Sequence, residues 1–158
     1  MKTITRSAIT GLAIAAVAAG TAGVAGAQMK GGSATKANIS ISKATVRVVP
    51  DGTANTAAYM TIRSTGIRDT LKKASVPTSF AAMTQLHRSI MKDGQMTMVE
   101  QKNGIGIPRN GVQQLKMGGF HVMIMGLKAG VTAGQKVPIT LTFSKAGVVK
   151  VTAVAMEM

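Results

Sequence analysis

The 158-residue sequence contains no cysteine and no tryptophan, and its aromatic residues are one tyrosine and three phenylalanines. Without cysteine the chain cannot form disulfides, thiolate-bound zinc or iron–sulfur sites, a thiol nucleophile, a blue-copper centre or a cysteine-linked lipid anchor. So few aromatic rings also leave no stacking platform for single-stranded nucleic acid. These absences exclude several classes of site before any motif is considered.

Acidic residues and histidines are scarce as well. The chain has two histidines against twelve methionines. Its carboxylate side chains are Asp51, Asp69, Asp93, Glu100 and Glu157. A hydrolase that depends on paired carboxylates or on a Ser–His–Asp triad has little material here. We therefore expect a protein that is not an enzyme.

The first 27 residues are predicted to be a secretory signal peptide. Lys2 and Arg6 precede an uncharged, alanine-rich stretch, which ends in the small-x-small cleavage pattern Ala25-Gly26-Ala27. A membrane anchor is less favoured, because the stretch is short and rich in alanine and glycine rather than leucine. We expect a periplasmic protein that is soluble after cleavage. The predicted organisation is a signal peptide at 1–27, a flexible leader at 28–37 and a folded domain at 38–158.

Alternation of apolar and polar residues dominates the rest of the chain, as is typical of half-buried strands. Turn signals such as Lys92-Asp93-Gly94 separate the alternating segments, and residues 103–111 are expected to form a loop. The predicted strands lie at 39–42, 45–48, 58–63, 83–90, 96–99, 112–117, 120–125, 137–143 and 148–154. Short strands at this spacing predict an antiparallel sandwich or barrel.

Both histidines lie in methionine-rich predicted strands. His121 and Met123 are separated by one residue, so a strand places both side chains on the same face. Met98 follows the 92–94 turn, and a hairpin at that turn would bring it toward His87. The four side chains are therefore candidates for a common site.

Imidazole and thioether groups together favour Cu(I). A thioether sulfur is soft and neutral, and it suits Cu(I) better than zinc, magnesium or calcium. Two histidines and two methionines would give an uncharged, four-coordinate site that needs no thiolate. Residue chemistry alone leaves open the alternative that the methionines fill the core. It also leaves open whether Met91 or Met125 assists.

The complete spacing resembles a known family. Ten residues separate His87 from Met98, twenty-two separate Met98 from His121, and one separates His121 from Met123. This spacing resembles the H-x10-M-x21/22-H-x-M signature of the periplasmic copper chaperones called PCu(A)C. The surrounding sequence is similar to that family over about residues 43–154. The blocks that carry the similarity are Ala57–Ile62, Gly118–Leu127 and Val137–Gly147.

The resemblance implies an all-β, cupredoxin-like, antiparallel Greek-key β-sandwich that binds Cu(I) through His87, Met98, His121 and Met123. It also implies delivery of copper toward the copper A centre of cytochrome c oxidase, with subunit II of the oxidase or Sco-type copper proteins as partners. The family commonly has glutamate after the first histidine, where this chain has Arg88. We expect that cation to disfavour additional positive charge at the site. A copper storage or resistance protein and a metal-free structural β-sandwich are the alternatives.

The charge of the chain is strongly positive, with 19 basic and 5 acidic side chains and a net charge of +14. Removal of Lys2 and Arg6 with the signal peptide would leave +12. The basic residues are scattered and form no run, so nucleic acid is not an expected partner. Two explanations stay open: the charge steers docking onto an acidic protein or an anionic membrane surface, or carboxylates are few because the compartment is acidic.

Overall fold

A computed structural model describes residues 31–36 and 38–158, which contain β-strands and no helix. The predicted signal peptide at 1–27 lies outside the described residues. None of the described residues belongs to a helix that could cross a membrane. The strands are β1 (Gly32–Lys36), β2 (Ile39–Arg47), β3 (Asn55–Ser64), β4 (Asp69–Ser75), β5 (Ala81–Lys92), β6 (Gln95–Glu100), β7 (Ile105–Ile107), β8 (Val112–Leu115), β9 (Phe120–Leu127), β10 (Lys136–Phe143) and β11 (Gly147–Met156).

The strands form one continuous hydrogen-bonded path in the order β6-β5-β9-β3-β2-β11-β10-β4-β7, with β1 attached to β2 and β8 attached to β3. Neighbours pair antiparallel except β2 and β11, which run parallel where Thr45 pairs with Val154. The path folds back on itself, so that β4 contacts β5 and the Thr84 hydroxyl donates a hydrogen bond to the Ala74 carbonyl. The predicted all-β, cupredoxin-like sandwich is confirmed, with one parallel pair in an otherwise antiparallel fold.

The core is built from one face of each central strand. Val122 and Ile124 of β9 are completely buried, as are Ala58 and Ile62 of β3. Because side chains alternate between the faces of a strand, the residues between these positions lie on the outer face of the sheet. Burial of one face of β9 and β3 in the core therefore leaves the side chains of the other face available for a binding site.

Three strands are absent from the sequence prediction. β1 lies within the segment predicted to be a flexible leader and pairs with β2. β7 lies within the predicted loop at 103–111, and both of its isoleucines, Ile105 and Ile107, are buried. β4 lacks alternation because its register with β10 shifts, with Lys73 opposite Thr142 but Leu71 opposite Phe143. A bulge of this kind hides a strand from a search for period two.

Asp69 joins the start of β4 to the turn between β10 and β11. Its side chain is 2% exposed, and its Oδ1 accepts hydrogen bonds from the backbone N–H groups of Thr70 at 2.7 Å and Lys145 at 2.8 Å. Its Oδ2 accepts a third from Ala146 at 2.8 Å. Three backbone donors in a region with little water thus depend on one carboxylate.

Replacement of Asp69 is expected to destabilise the protein strongly. Asp69→Ala leaves the three N–H groups without their acceptor, which should cost about 3 kcal/mol of unfolding free energy. Asp69→Asn keeps one acceptor oxygen and should cost less. Urea unfolding followed by circular dichroism measures both variants. A loss below about 1 kcal/mol for Asp69→Ala would mean that water replaces the carboxylate.

Candidate metal centre

β9 occupies the middle of the candidate site because it pairs with β5 along one edge and β3 along the other. His121 lies directly opposite His87 of β5, and Met123 lies opposite Gln85 of β5 and Ala57 of β3. Directly opposed residues in an antiparallel pair point to the same face. His87, His121 and Met123 therefore share the outer face of the sheet, opposite the buried Val122.

The hairpin between β5 and β6 brings Met98 to this face. Asp93 and Gly94 both have positive φ, at 51° and 78°, as a two-residue type I′ turn requires. This turn fixes the register of the hairpin and places Met98 opposite Ser89, two positions along β5 from His87. The predicted hairpin between His87 and Met98 is therefore present. All four candidate ligands project from one face.

The two imidazole rings are close enough to share one ion. Their centroids are 5.9 Å apart, in an edge-to-face arrangement. A ring nitrogen lies about 2 Å from a bound first-row metal ion, so two rings on one ion have centroids at most about 6.4 Å apart. The observed separation of His87 and His121 is within that limit.

His121 is held in one orientation by its own strand. The side chain is 4% exposed, and its Nδ1 lies 3.1 Å from the carbonyl oxygen of Gly119. Because a carbonyl only accepts hydrogen bonds, Nδ1 carries the hydrogen. The other ring nitrogen, Nε2, therefore keeps its lone pair, as is usual for histidines that bind metals.

His87 has the opposite arrangement of its ring nitrogens. Its Nε2 lies 3.0 Å from Oε1 of Gln85 and donates to it, which leaves the lone pair on Nδ1. That Nδ1 is buried and finds no hydrogen-bond partner among the described residues. Buried polar atoms normally have a partner. An unpartnered lone pair next to His121 fits a position that an ion would occupy.

A cavity of about 280 Å³ opens at this face. Three of the predicted ligands line it, namely Met98, His121 and Met123, while His87 lies beside His121 outside the lining. Thioether and imidazole groups thus converge on a space that could admit an ion. The described residues contain no cluster of three or more His, Asp or Glu side chains that could bind a metal. A site at this cavity therefore depends on methionine.

The cavity also contains methionines that the ligand spacing did not single out. Met96 and Met117 line it together with Tyr59 and Arg47. Met96 lies on β6 and Met117 follows β8, so only the folded hairpin and the turn before β9 bring them together. In the sequence, only the large number of methionines pointed to Met96 and Met117. Met91 and Met125, considered above as assisting ligands, do not belong to the lining of this cavity.

The expected influence of Arg88 on the site is not supported by its position. Arg88 pairs with Phe120 and therefore points to the face opposite His87. Its guanidinium carbon lies 5.1 Å from the centroid of the Phe120 ring, a cation–π distance. Adjacency in sequence is misleading here, because neighbours along a strand lie on opposite faces. The charged side chains at the site face are instead Arg47, which lines the cavity, and Glu100, opposite His87.

Burial shifts the pKa values of two groups at this face, His87 and Tyr59. Desolvation lowers the pKa of His87 below its usual 6.5, the charge of His121 lowers it further, and Glu100 opposes the shift. Burial raises the pKa of Tyr59 above 10.0, with a smaller opposing effect from Arg47. His87 is therefore neutral near pH 7 and Tyr59 keeps its proton. His87 can therefore bind a metal ion near pH 7 without first losing a proton.

Comparison with solved structures defines the class of fold. The copper-bound PCuAC domain of PmoF2 aligns with a TM-score of 0.66 and 20% sequence identity, over 80% of this chain and 98% of that domain. The solution structure of CuI-DR1885 from Deinococcus radiodurans aligns with a TM-score of 0.54 and 33% identity, over 72% of this chain and 75% of that one. The likeness to PmoF2 shows that this chain has the PCuAC-type fold.

Sequence comparison identifies the family. Residues 39–155 match the LpqE-like family, described as "Putative lipoprotein LpqE-like", and the chain belongs to that family. "Putative lipoprotein Lxx21020" from Leifsonia xyli subsp. xyli is 41% identical over 106 residues, which are 67% of this chain and 62% of that relative. The chain thus spans less than two thirds of the relative's length. Neither comparison tests the ligand role of the four candidate residues, which stays a prediction.

The pKa of His87 in the metal-free protein is expected to lie below 6.5 and to fall further in Glu100→Gln, which removes the opposing carboxylate. Between the folded pKa and 6.5 the unfolded chain binds more protons than the folded one. This group therefore makes folding less favourable as the pH falls through that window. An NMR titration of the ring protons measures the pKa directly. A value at or above 6.5 would show that Glu100 outweighs burial.

Proposed function

We propose that this protein is an exported copper chaperone that binds Cu(I) through His87, Met98, His121 and Met123. One observation carries the proposal. The four side chains project from one sheet face, and each imidazole keeps one nitrogen with a free lone pair. Copper is the cargo in this proposal, and the chain's contribution is to hold it and release it.

The donor set favours Cu(I) over more highly charged ions. All four ligands are neutral, and thioether sulfur prefers soft ions. Arg47 adds a positive charge at the cavity lining. A divalent ion would meet more repulsion from Arg47 than a monovalent one, and the carboxylate of Glu100, opposite His87 on the same face, lies outside the cavity lining. The chemistry of the site and its charge thus point to the same ion.

The similarities to other proteins support the same function. A PCuAC domain with this fold is copper-bound in PmoF2, and the 33% identical DR1885 binds Cu(I). Export is supported by the predicted signal peptide at 1–27 and by a family described as lipoproteins. Cysteine-linked lipid is excluded for these 158 residues, because they contain no cysteine. These observations support the periplasmic location that we propose.

Transfer to a partner requires a ligand that the partner can displace. Met98 is 54% exposed, whereas His121 is almost fully buried. An acceptor can therefore replace Met98 first while His121 still holds the ion. We propose delivery toward the copper A centre of cytochrome c oxidase, either to subunit II or through Sco-type proteins. The net positive charge of the chain would steer such an encounter toward an acidic acceptor surface.

Removal of a ligand should abolish tight copper binding. In anaerobic competition with a Cu(I) chelator, the purified protein is expected to take up one equivalent. His121→Ala and Met123→Leu should each weaken binding at least about 100-fold, or about 2.7 kcal/mol. Met83→Leu is the matched control, because Met83 is 53% exposed and lies outside the cavity lining. No copper uptake by the wild-type protein would favour the metal-free structural β-sandwich, and equal tight binding in all four proteins would show that copper binds at other residues.

A chaperone must also give its copper away. When Cu(I)-loaded protein is mixed with the metal-free copper-binding domain of oxidase subunit II or with a Sco-type protein, copper is expected to move to the acceptor within minutes. Direct handover should be faster than loss of copper to a chelator of the same affinity as the acceptor. Retention of copper under these conditions would favour the alternative of storage or copper resistance.

A further inference from the structure

Three exposed methionines among the residues that line the cavity form a thioether cluster. Met96 and Met98 come from β6, and Met117 comes from the turn that precedes β9. All three line the cavity, and their side chains are 58%, 54% and 56% exposed. Met98 is the only member of this cluster that is also one of the four ligands proposed above.

Packing does not account for these side chains. Methionine usually serves to fill irregular gaps in a core. Here each of the three leaves more than half of its surface in water, where an apolar side chain contributes little to stability. Met96 faces solvent from a strand whose six residues are all exposed. What the three have in common is a soft sulfur donor directed at one cavity.

We propose that Met96, Met98 and Met117 form a Cu(I) entry site, which receives the ion first and passes it to the adjacent His/Met site, with Met98 common to both. This inference rests on the proposed function. Three thioethers suffice to coordinate Cu(I), but they bind it without imidazole and therefore more weakly than the His/Met site. Because the inner site binds Cu(I) more tightly than the outer site, transfer from the outer to the inner site is thermodynamically favourable.

The handover is a ligand exchange with no redox or proton step. Met98 keeps its sulfur–copper bond throughout, while the bonds to Met96 and Met117 break. New bonds form to Met123 sulfur, to Nε2 of His121 and to Nδ1 of His87, and both of these nitrogens already carry lone pairs. Copper stays Cu(I) and every ligand is neutral before and after. No co-reactant is therefore needed.

The burial of the donors sets the order of the two sites. His121 is 4% exposed and the Nδ1 of His87 is buried, so both ring nitrogens are less accessible to an ion arriving from solvent than the three sulfurs are. The three exposed sulfurs are accessible at once. An ion that enters the cavity therefore meets thioethers before it meets a ring nitrogen.

The kinetic test compares Met96→Leu/Met117→Leu with the full-length wild-type protein. Cu(I) is supplied anaerobically as a chelate complex, and its capture is followed by stopped-flow absorbance. We expect the double variant to capture copper about tenfold more slowly, with an equilibrium affinity within about twofold of wild type. The matched control is Met83→Leu/Met158→Leu, which removes two half-exposed methionines outside the cavity lining and should leave the rate unchanged.

A second measurement observes the sulfurs directly. With 13C-labelled methionine methyl groups, Cu(I) added to His87→Ala/His121→Ala is expected to shift the signals of Met96, Met98 and Met117. Unmoved Met96 and Met117 signals, or a double variant that captures copper at the wild-type rate, would overturn the entry site. A double variant that loses equilibrium affinity as well would also overturn it, because those residues would then belong to the resting site.

Failure of the proposed function would give a different result. In that case wild type and His121→Ala would bind copper equally, and the Met123 signal would not move when copper is added to the wild-type protein. The Met96 and Met117 signals report on the entry site independently of that result. The two proposals can therefore fail separately.

Discussion

The pairing of β9 with β5 on one edge and β3 on the other is the constraint on which both the core and the candidate metal centre depend. Val122 and Ile124 point inward and are completely buried, so His121 and Met123 must point outward. A slip of one residue in this register would turn the ligands toward the core and the core residues toward the outer face. Hydrophobic burial of β9 therefore fixes the orientation of the site, and no separate device is needed to hold the two ligands on one face.

Three of the five acidic side chains are used in turns and strand connections away from the cavity. Asp69 accepts three backbone N–H groups, and Asp51 accepts the N–H of Gly130 at 2.5 Å. Asp93 forms the β5–β6 turn. The cavity is left with neutral donors and Arg47. This division of roles means that the loops of the protein depend on carboxylates, whereas its proposed copper chemistry does not.

Much of this arrangement is readable from the sequence, and the limits of that reading have physical causes. Period two placed His121 and Met123 on one face, and the Asp-Gly turn implied the hairpin that carries Met98. Alternation does not reveal β4, because a bulge interrupts it. β7 resembles a loop in the sequence, because its three residues lie between Gly104 and Pro108. Met117 joins the cavity only through the folding of the β8–β9 turn, a long-range arrangement that local spacing does not encode. The same alternation places Arg88 on the side of β5 opposite His87, although the two residues are adjacent in the sequence.

The position of β6 at the end of the strand path has a consequence for dynamics. Among the described residues β6 pairs only with β5, and all six of its side chains are exposed. Fraying of β6 would break one ladder of hydrogen bonds and uncover almost no core, so its free energy of local opening is far below that of global unfolding. Hydrogen exchange in β6 should accordingly be much faster than in β9. β6 can therefore separate from β5 and return, carrying the proposed ligand Met98 with it, while the sandwich stays folded. The lifetime of the copper complex would then be set by local fraying of β6 rather than by the stability of the fold.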